Sequence, residues 1–383
     1  MKITDVKVHI LQSNLDEPFA FSQGWVKVRS ATIVEVQTDT GLVGWGEAFA
    51  QGLESPQIAA SAIEHSLKPL ILDANPTDVE VLWHKMYNHT RDFGRKGSVM
   101  AAISAIDIAL WDIAGKFFEV SISQLIGGRF RNQVQPYATG FYRLSGQNEG
   151  ERLAEEAIAH YEAGFKAMKI KLGFGVDDDI RVMRQVGRGL EGRDVELMVD
   201  TNHAYGRTES LRLGRVLDEY DLRWYEEPVP PEDIDGYIEL RAKLTTPIAG
   251  GENEHSIYGF RELLNRHAVD IVQPDIGSCG GITGARHAAI IAQANGIEVN
   301  PHVWGSGVAQ AASLQVLAAL PDTVHSLYPR QPIFEYDRSS HPFRNDLVDR
   351  PLTLNKNSMV EISDAPGLGI QVNRETIKKF KVN

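Results

Sequence analysis

Lys169 and Lys171 stand one residue apart in the apolar run AMKIKLGFG. Beyond them an ionisable group recurs at a near-constant step. Asp200, Glu226, Glu252, Asp275, His302 and Glu335 follow Lys171 at gaps of 29, 26, 26, 23, 27 and 33 residues. Asp200, Glu226 and Glu252 brought together would repel and raise one another's pKa values, and a hard divalent cation relieves that repulsion. An all-oxygen set suits octahedral Mg²⁺, with water and substrate oxygens completing the shell. No Cys/His cluster competes as a zinc site. Glu227 follows Glu226 directly, and strand alternation sends it to the opposite face. A lysine beside another lysine and a cation has a lowered pKa, which makes a neutral amine available as a base. A carboxylate on one ring nitrogen of a histidine fixes the tautomer and raises the basicity of the other nitrogen, so Asp275 and His302 form a second candidate base opposite the lysines. Glu335 is placed to act as an acid near an enolate oxygen.

The elements that must hold these groups follow from the spacing. Each gap is the length of one strand plus one helix. In a strand, residues two apart share a face. Ala167, Lys169 and Lys171 therefore share one face, and Met168, Ile170 and Leu172 the other. Strand patterns recur as QVQPYATG, KAMKIKL, VELMVDTN, RWYEEP, PIAGGE, DIVQPD, IEVNPH and PIFEYD. Helical periodicity fills most of the segments between them. Strands alternating with helices predict an α/β fold with a parallel barrel, whose strand ends converge on one mouth. The chain before this reads as a separate α+β unit: a strand KITDVKVHIL, a hairpin around Asp39-Thr40-Gly41, and two helical stretches. The expected division is an N-terminal α+β cap over 1–126, the barrel over 127–338, and a tail over 339–383 that packs back on the cap.

The remaining numbers exclude several classes. A net charge of −12 argues against nucleic acid and anionic membranes as partners. At 43% hydrophobic and 23% charged, the 383 residues support a large core. Cys279 is the sole cysteine, so no intramolecular disulfide forms and a reducing compartment is expected. MKITDVKVHI lacks the apolar core of a signal peptide, and no apolar run approaches the ~18 residues of a membrane span. These features predict a cytoplasmic protein.

KIK, VDTNH, WYEEP, GGEN, QPD, NPHVWG and FEYD together resemble the enolase superfamily, and within it the mandelate racemase-like subgroup. The resemblance covers nearly the whole chain. It implies a modified (β/α)7β TIM barrel with an N-terminal cap, one Mg²⁺ per subunit (Mn²⁺ as a substitute), and removal of a proton beside a carboxylate, as such sites do with a Lys or His base. It implies a homo-oligomer. By the same resemblance Asp200, Glu226 and Glu252 are ligands, Lys171 and the His302–Asp275 pair are the bases, Lys169 touches the substrate carboxylate, and Glu335 bonds the enolate oxygen. NPHVWGSGV and FEYDRSSHPFRNDL are similar to acid-sugar enzymes, galactarolactone cycloisomerases first and aldonic or aldaric acid dehydratases next. The implied partner is a small acid sugar or its lactone. Racemisation or epimerisation of a hydroxy acid is the alternative reaction, and a non-catalytic sugar-acid binder the alternative of another class. The resemblance puts specificity in cap loops around Phe19, Phe21, Gln23, Trp25, Phe49 and Gln51. Phe21 and Trp25 are expected at the substrate, with Asn202, His203, Asn253 and Trp304 from the barrel.

Overall fold

The computed structural model describes residues 1–50, 52–146 and 149–382. Gln51 lies outside them. The chain opens with an antiparallel sheet in the order β1 (Ile3–Phe21), β2 (Gly24–Thr38), β3 (Val43–Ala48). The helix Ser98–Phe117 lies against β3. A Cβ added at Gly44 would sit 2.0 Å from the Ala109 carbonyl oxygen, and one at Gly46 would sit 1.9 Å from that of Ala105. The GWG of the sequence is thus what lets strand and helix touch. This helix has the length of a membrane span and a mean hydropathy of 1.5, but 83% of its apolar stretch is buried inside the protein. A further helix, Val79–Thr90, was not among the two stretches expected. Its Val79, Leu82, Trp83, Met86 and Tyr87 are buried at helical spacing.

FAFSQGW is not an irregular loop. β1 runs through Phe21 and β2 begins at Gly24, so the segment is a hairpin tip turning at Ser22 and Gln23. Phe19 pairs with Val26, Ala20 with Trp25, and Phe21 with Gly24. Paired residues share a face, and the faces alternate. Phe19 and Phe21 therefore point one way and Trp25 the other.

The short strand β4 (Gln133–Val134) precedes the barrel strands. These are β5 (Pro136–Thr139), β6 (Ala167–Lys171), β7 (Glu196–Asp200), β8 (Tyr225–Glu226), β9 (Ile248–Gly250), β10 (Ile271–Val272), β11 (Glu298–Val299) and β12 (Phe334–Asp337). All pairs are parallel and follow chain order from β5 to β11, with β12 beside β5. The helices Glu149–Glu162, Val176–Gly189, Arg207–Leu217, Ile234–Lys243, Ser256–Asn265, Gly281–Ala294 and Gly307–Ala319 fall one to each connection. Side chains tie β11 to β12: Asn300 Oδ1 accepts from the Ile333 amide at 2.8 Å, and Glu335 Oε2 accepts from the Val303 amide at 2.9 Å. This is the parallel barrel that the spacing predicts, in the (β/α)7β form that the family resemblance implies.

The two faces of β6 separate as expected. Met168, Ile170 and Leu172 join the layer of helices through Val182, Met183 and Val186. Ala167 packs inside the barrel with Tyr137, Met198, Trp224, Ala249, Ile271 and Ile333. The C-terminal segment adds β13 (Val360–Glu361) antiparallel to β4. It then reaches the cap: the Val382 amide donates to the Ile10 carbonyl at 2.9 Å, and Arg374 donates to both oxygens of Glu35 at 3.0 and 2.8 Å.

Candidate active site

The carboxylates expected at successive strand ends converge. One oxygen each of Asp200, Glu226 and Glu252 lies within 4.8 Å of the others, and all three residues are buried. Their satisfaction differs. Glu226 Oε1 accepts from Lys169 at 2.6 Å, and its Oε2 accepts from Trp224 Nε1 at 2.8 Å and Gln273 Nε2 at 2.7 Å. Asp200 accepts from Lys171 at 2.5 Å and from the Asn202 amide at 2.7 Å. Glu252 Oε2 is buried with no hydrogen-bond partner. Burial and the neighbouring acids push Glu226 up to about 7, against the pull of Lys169. A buried acid oxygen without a donor, amid a mutually repelling set, fits a divalent cation.

Glu227 departs from the expectation. Its φ of 45° breaks the strand alternation and keeps it inside. Oε1 accepts from Asn253 Nδ2 at 2.6 Å, while Oε2 is buried without a partner. Burial first, then Glu252 and Asp200, raise its pKa well above the ordinary range. Asn202 and His203 share this left-handed backbone, with φ of 43° and 52°. Such strained residues cluster where a structure must aim side chains at a site.

The lysines face these acids. Lys169 is fully buried, 2.6 Å from Glu226 Oε1, 2.8 Å from Glu335 Oε1 and 3.8 Å from Asp200 Oδ2. Burial alone would lower its pKa, but Glu226 and Glu335 outweigh burial and hold it well above the usual range. Lys171 also donates to Asn202 Oδ1 at 3.0 Å. Burial opposes its charge too, and Asp200 overcomes burial. Among protein groups alone, then, both lysines are raised rather than lowered, because carboxylates outnumber them.

His302 Nδ1 lies 2.8 Å from Asp275 Oδ2, and Asp275 Oδ1 accepts from the Gly277 amide at 2.7 Å. His302 Nε2 is 3.5 Å from Glu252 Oε2 and 4.0 Å from Glu335 Oε2. Burial lowers the imidazole pKa, yet Glu252, Glu335 and Asp275 carry it up to about 10. Glu335 also accepts from Thr139 Oγ1 at 2.7 Å. Burial works against its ionisation, but Lys169, His302 and Lys171 pull it down to about 2.

Lys171, His302, Glu252 and Asn202 line one cavity with Phe21, Phe49, Tyr142 and Trp304. The cap supplies the two phenylalanines, and Phe49 meets the His302 ring edge-on at 5.6 Å. The space open to the centre of a water molecule is about 20 Å³. That suffices for water but not for a sugar acid, so a larger ligand needs a wall to move. Of the residues expected at a substrate, Phe21, Asn202 and Trp304 line this cavity. His203 and Asn253 do not line it; the Asn253 side chain is bonded to Glu227 Oε1, and the His203 backbone amide donates to the Glu227 carbonyl. Trp25 is turned to the other face of the hairpin and is 45% exposed. Gln23 reaches the barrel differently, donating to the Asn202 carbonyl at 2.7 Å. Sequence reasoning passed over Tyr142, Trp224 and Gln273. Trp224 and Gln273 stand two residues before Glu226 and Asp275, so alternation carried their signal. Tyr142 lies beyond the end of β5, where no periodicity marks it.

Comparison with known proteins agrees with this geometry. Residues 3–127 match the family model for the mandelate racemase / muconate lactonizing enzyme N-terminal domain, and residues 152–376 match that for the enolase C-terminal domain-like group. The chain is 41% identical over 383 residues to D-galactarolactone cycloisomerase of Agrobacterium fabrum, covering 100% of this chain and 99% of that one. It is 34% identical to arabinonate dehydratase of Saccharolobus solfataricus, over 91% of this chain and 89% of that one. The crystal structure of 3,6-anhydro-D-galactonate cycloisomerase from Zobellia galactanivorans superposes with a TM-score of 0.89 at 36% identity, covering 100% of both chains. That of a racemase from Streptomyces coelicolor A3(2) with bound magnesium does so with a TM-score of 0.88 at 25% identity, over 99% of this chain and 100% of that one. The chain belongs to the mandelate racemase / muconate lactonizing enzyme family of the enolase superfamily, and it is a lyase or isomerase of that superfamily.

Proposed function

We propose that this enzyme removes the proton α to the carboxylate of an acid-sugar lactone and expels the ring oxygen from the β-carbon. The observation that carries this reading is the shared cavity: Lys171 and the Asp275-oriented His302 both line it, beside the unpartnered oxygen of Glu252. Asp200, Glu226 and Glu252 would hold Mg²⁺, which supplies positive charge to the substrate carboxylate and offsets the negative charge that holds Lys171 protonated. Lys169, locked between Glu226 and Glu335, adds a fixed positive charge on the same side. Lys171 or His302 takes the α-proton, according to the face the substrate presents. The Cα–H pair becomes the Cα–Cβ double bond, and the Cβ–O pair leaves on the ring oxygen. In a lactone that oxygen remains attached as a carboxylate, so no atom is lost, and return of a proton to the β-carbon gives a keto acid of unchanged mass. In an open-chain acid the same step loses hydroxide and needs an acid to assist it, giving dehydration.

The lactone is favoured by full-length similarity to a galactarolactone cycloisomerase and by the aromatic walls Phe21, Phe49 and Trp304, which suit a ring better than an extended polyol. The test is product analysis with Mg²⁺ and a panel of aldaric and aldonic acids and their lactones. A ring-opened product of the same mass as its lactone is expected. Products lighter by one water would assign dehydration instead, and no turnover across the panel would contradict the proposal.

A further inference from the structure

One cavity group has a proton with nowhere to go. Trp304 Nε1 donates to the Tyr142 hydroxyl oxygen at 2.6 Å. An indole N–H can only donate, so that oxygen is the acceptor and the Tyr142 O–H proton must be directed elsewhere. Among the described residues it has no other hydrogen-bond partner. Tyr142 is 6% exposed and lines the cavity with Lys171 and His302. Burial first, then Asp337, raise its pKa above the ordinary phenol value, so it stays a donor.

The Trp304 side of this contact is built with care. The Arg29 guanidinium lies 3.8 Å from the Trp304 ring centroid. Arg29 is buried and paired with buried Asp337 at 2.9 Å, and Arg344 joins the same Asp337 oxygen at 3.1 Å. A cation over the indole face draws density from the ring and strengthens its N–H as a donor. A stronger N–H···O bond in turn polarises the Tyr142 O–H. The final residue of FEYD, idle in the reaction so far described, thereby acquires a role: it fixes the arginine behind the tryptophan.

Position indicates what the hydroxyl meets. On the function proposed above, the carboxylate end of a substrate lies at Glu252, the one of the three acids that lines the cavity. The β-carbon then extends toward the cap-side wall of Phe21, Phe49, Tyr142 and Trp304. Of these four, Tyr142 alone has an uncommitted donor. We propose that Tyr142 donates a hydrogen bond to the oxygen leaving the β-carbon, with Trp304 and Arg29 as positioning residues for it. This rests on the elimination proposed above. As the Cβ–O bond breaks, its electron pair settles on that oxygen, and the phenol stabilises the charge without transferring its proton. For a lactone the departing group is a carboxylate, which needs no protonation.

The test follows α-proton exchange and elimination together, in D₂O with Mg²⁺, using D-galactarolactone. Tyr142→Phe removes the donor and keeps the ring. Its exchange should persist while elimination falls about 100-fold, the usual cost of one lost donor to a developing oxyanion. The ratio of exchange to elimination therefore rises. Trp304→Phe, which frees the hydroxyl to rotate, should shift the ratio the same way by less. Persisting exchange also shows each variant to be folded. An unchanged ratio in Tyr142→Phe overturns the assignment, whatever happens to KM. If that variant does not fold, an unchanged ratio in Trp304→Phe overturns it equally. A wild type that neither exchanges nor eliminates would instead sink the elimination itself, and this role with it.

Discussion

Glu252 is the acid of the cluster that the protein leaves without a donor, while Lys169 and Lys171 are spent on Glu226 and Asp200. That asymmetry makes Glu252 the acid with most to gain from a bound cation. Burial first, then the charges of Asp200, Glu335 and Glu252, push Glu226 up to about 7 against the pull of Lys169. A cation that binds the folded state alone stabilises it by mass action, by about 2.7 kcal/mol at a hundredfold excess over Kd. Mg²⁺ should therefore raise the Tm of the wild type, and Glu252→Gln should abolish the rise. A Tm indifferent to Mg²⁺ in the wild type, or an equal rise in the variant, would remove Glu252 from the ligand set. Most of these residues were legible because strand alternation fixes which face a side chain takes. Glu227 was misplaced for the same reason, since one residue with φ of 45° undoes alternation and leaves no mark in composition.

At the scale of elements, cap carboxylates hold the segments that carry Asp275 and His302, the pair proposed as the second base. Glu47, at the end of β3, accepts from the Ser306 amide at 2.9 Å, the Ser306 hydroxyl at 2.5 Å and the Ala309 amide at 3.1 Å. It thus caps the helix that begins just after His302 and Trp304. Asp107 does the same for the helix after Asp275, accepting from Thr283 Oγ1 at 2.6 Å and its amide at 3.0 Å. Burial outweighs these donors and pushes both acids up to about 7. A carboxyl raised from 4.5 to about 7 on folding contributes stability that is complete below 4.5 and lost as pH rises through 7. For Glu47 that window is worth about 3 kcal/mol. Melting temperature should fall between those pH values, and Glu47→Gln should flatten the fall. An identical pH profile in the variant would show that Glu47 does not ionise across this range. Elements of this kind were legible where periodicity was long, as in Ser98–Phe117. The hairpin tip at Phe21 was read as a loop because Ser, Gln and Gly mark a turn without showing how far the strands run. Contacts between distant segments, such as Glu47 with Ser306, leave no local signal at all.

For the whole molecule, the barrel brings one group per strand-plus-helix unit to its mouth, and Phe21 and Phe49 of the cap narrow the cavity there to about 20 Å³. Exclusion of water strengthens every charge interaction inside, which a developing carbanion beside a carboxylate requires. The barrel was legible as a repeating interval of polar strand ends. The closure was legible in part: Phe21, Phe49 and Trp304 were expected near the substrate from the family resemblance, whereas Tyr142, past the end of β5, carries no periodic signal and was missed. The central claim is that two opposed bases serve one α-carbon in this closed site. It is tested most directly by solvent deuterium exchange at the α-carbon of D-galactarolactone, followed by NMR with Mg²⁺ present. The wild type should exchange or turn over, and Lys171→Ala or His302→Ala, while folded, should cut this by roughly 100- to 10,000-fold. Exchange that survives in both variants at the wild-type rate would contradict the account.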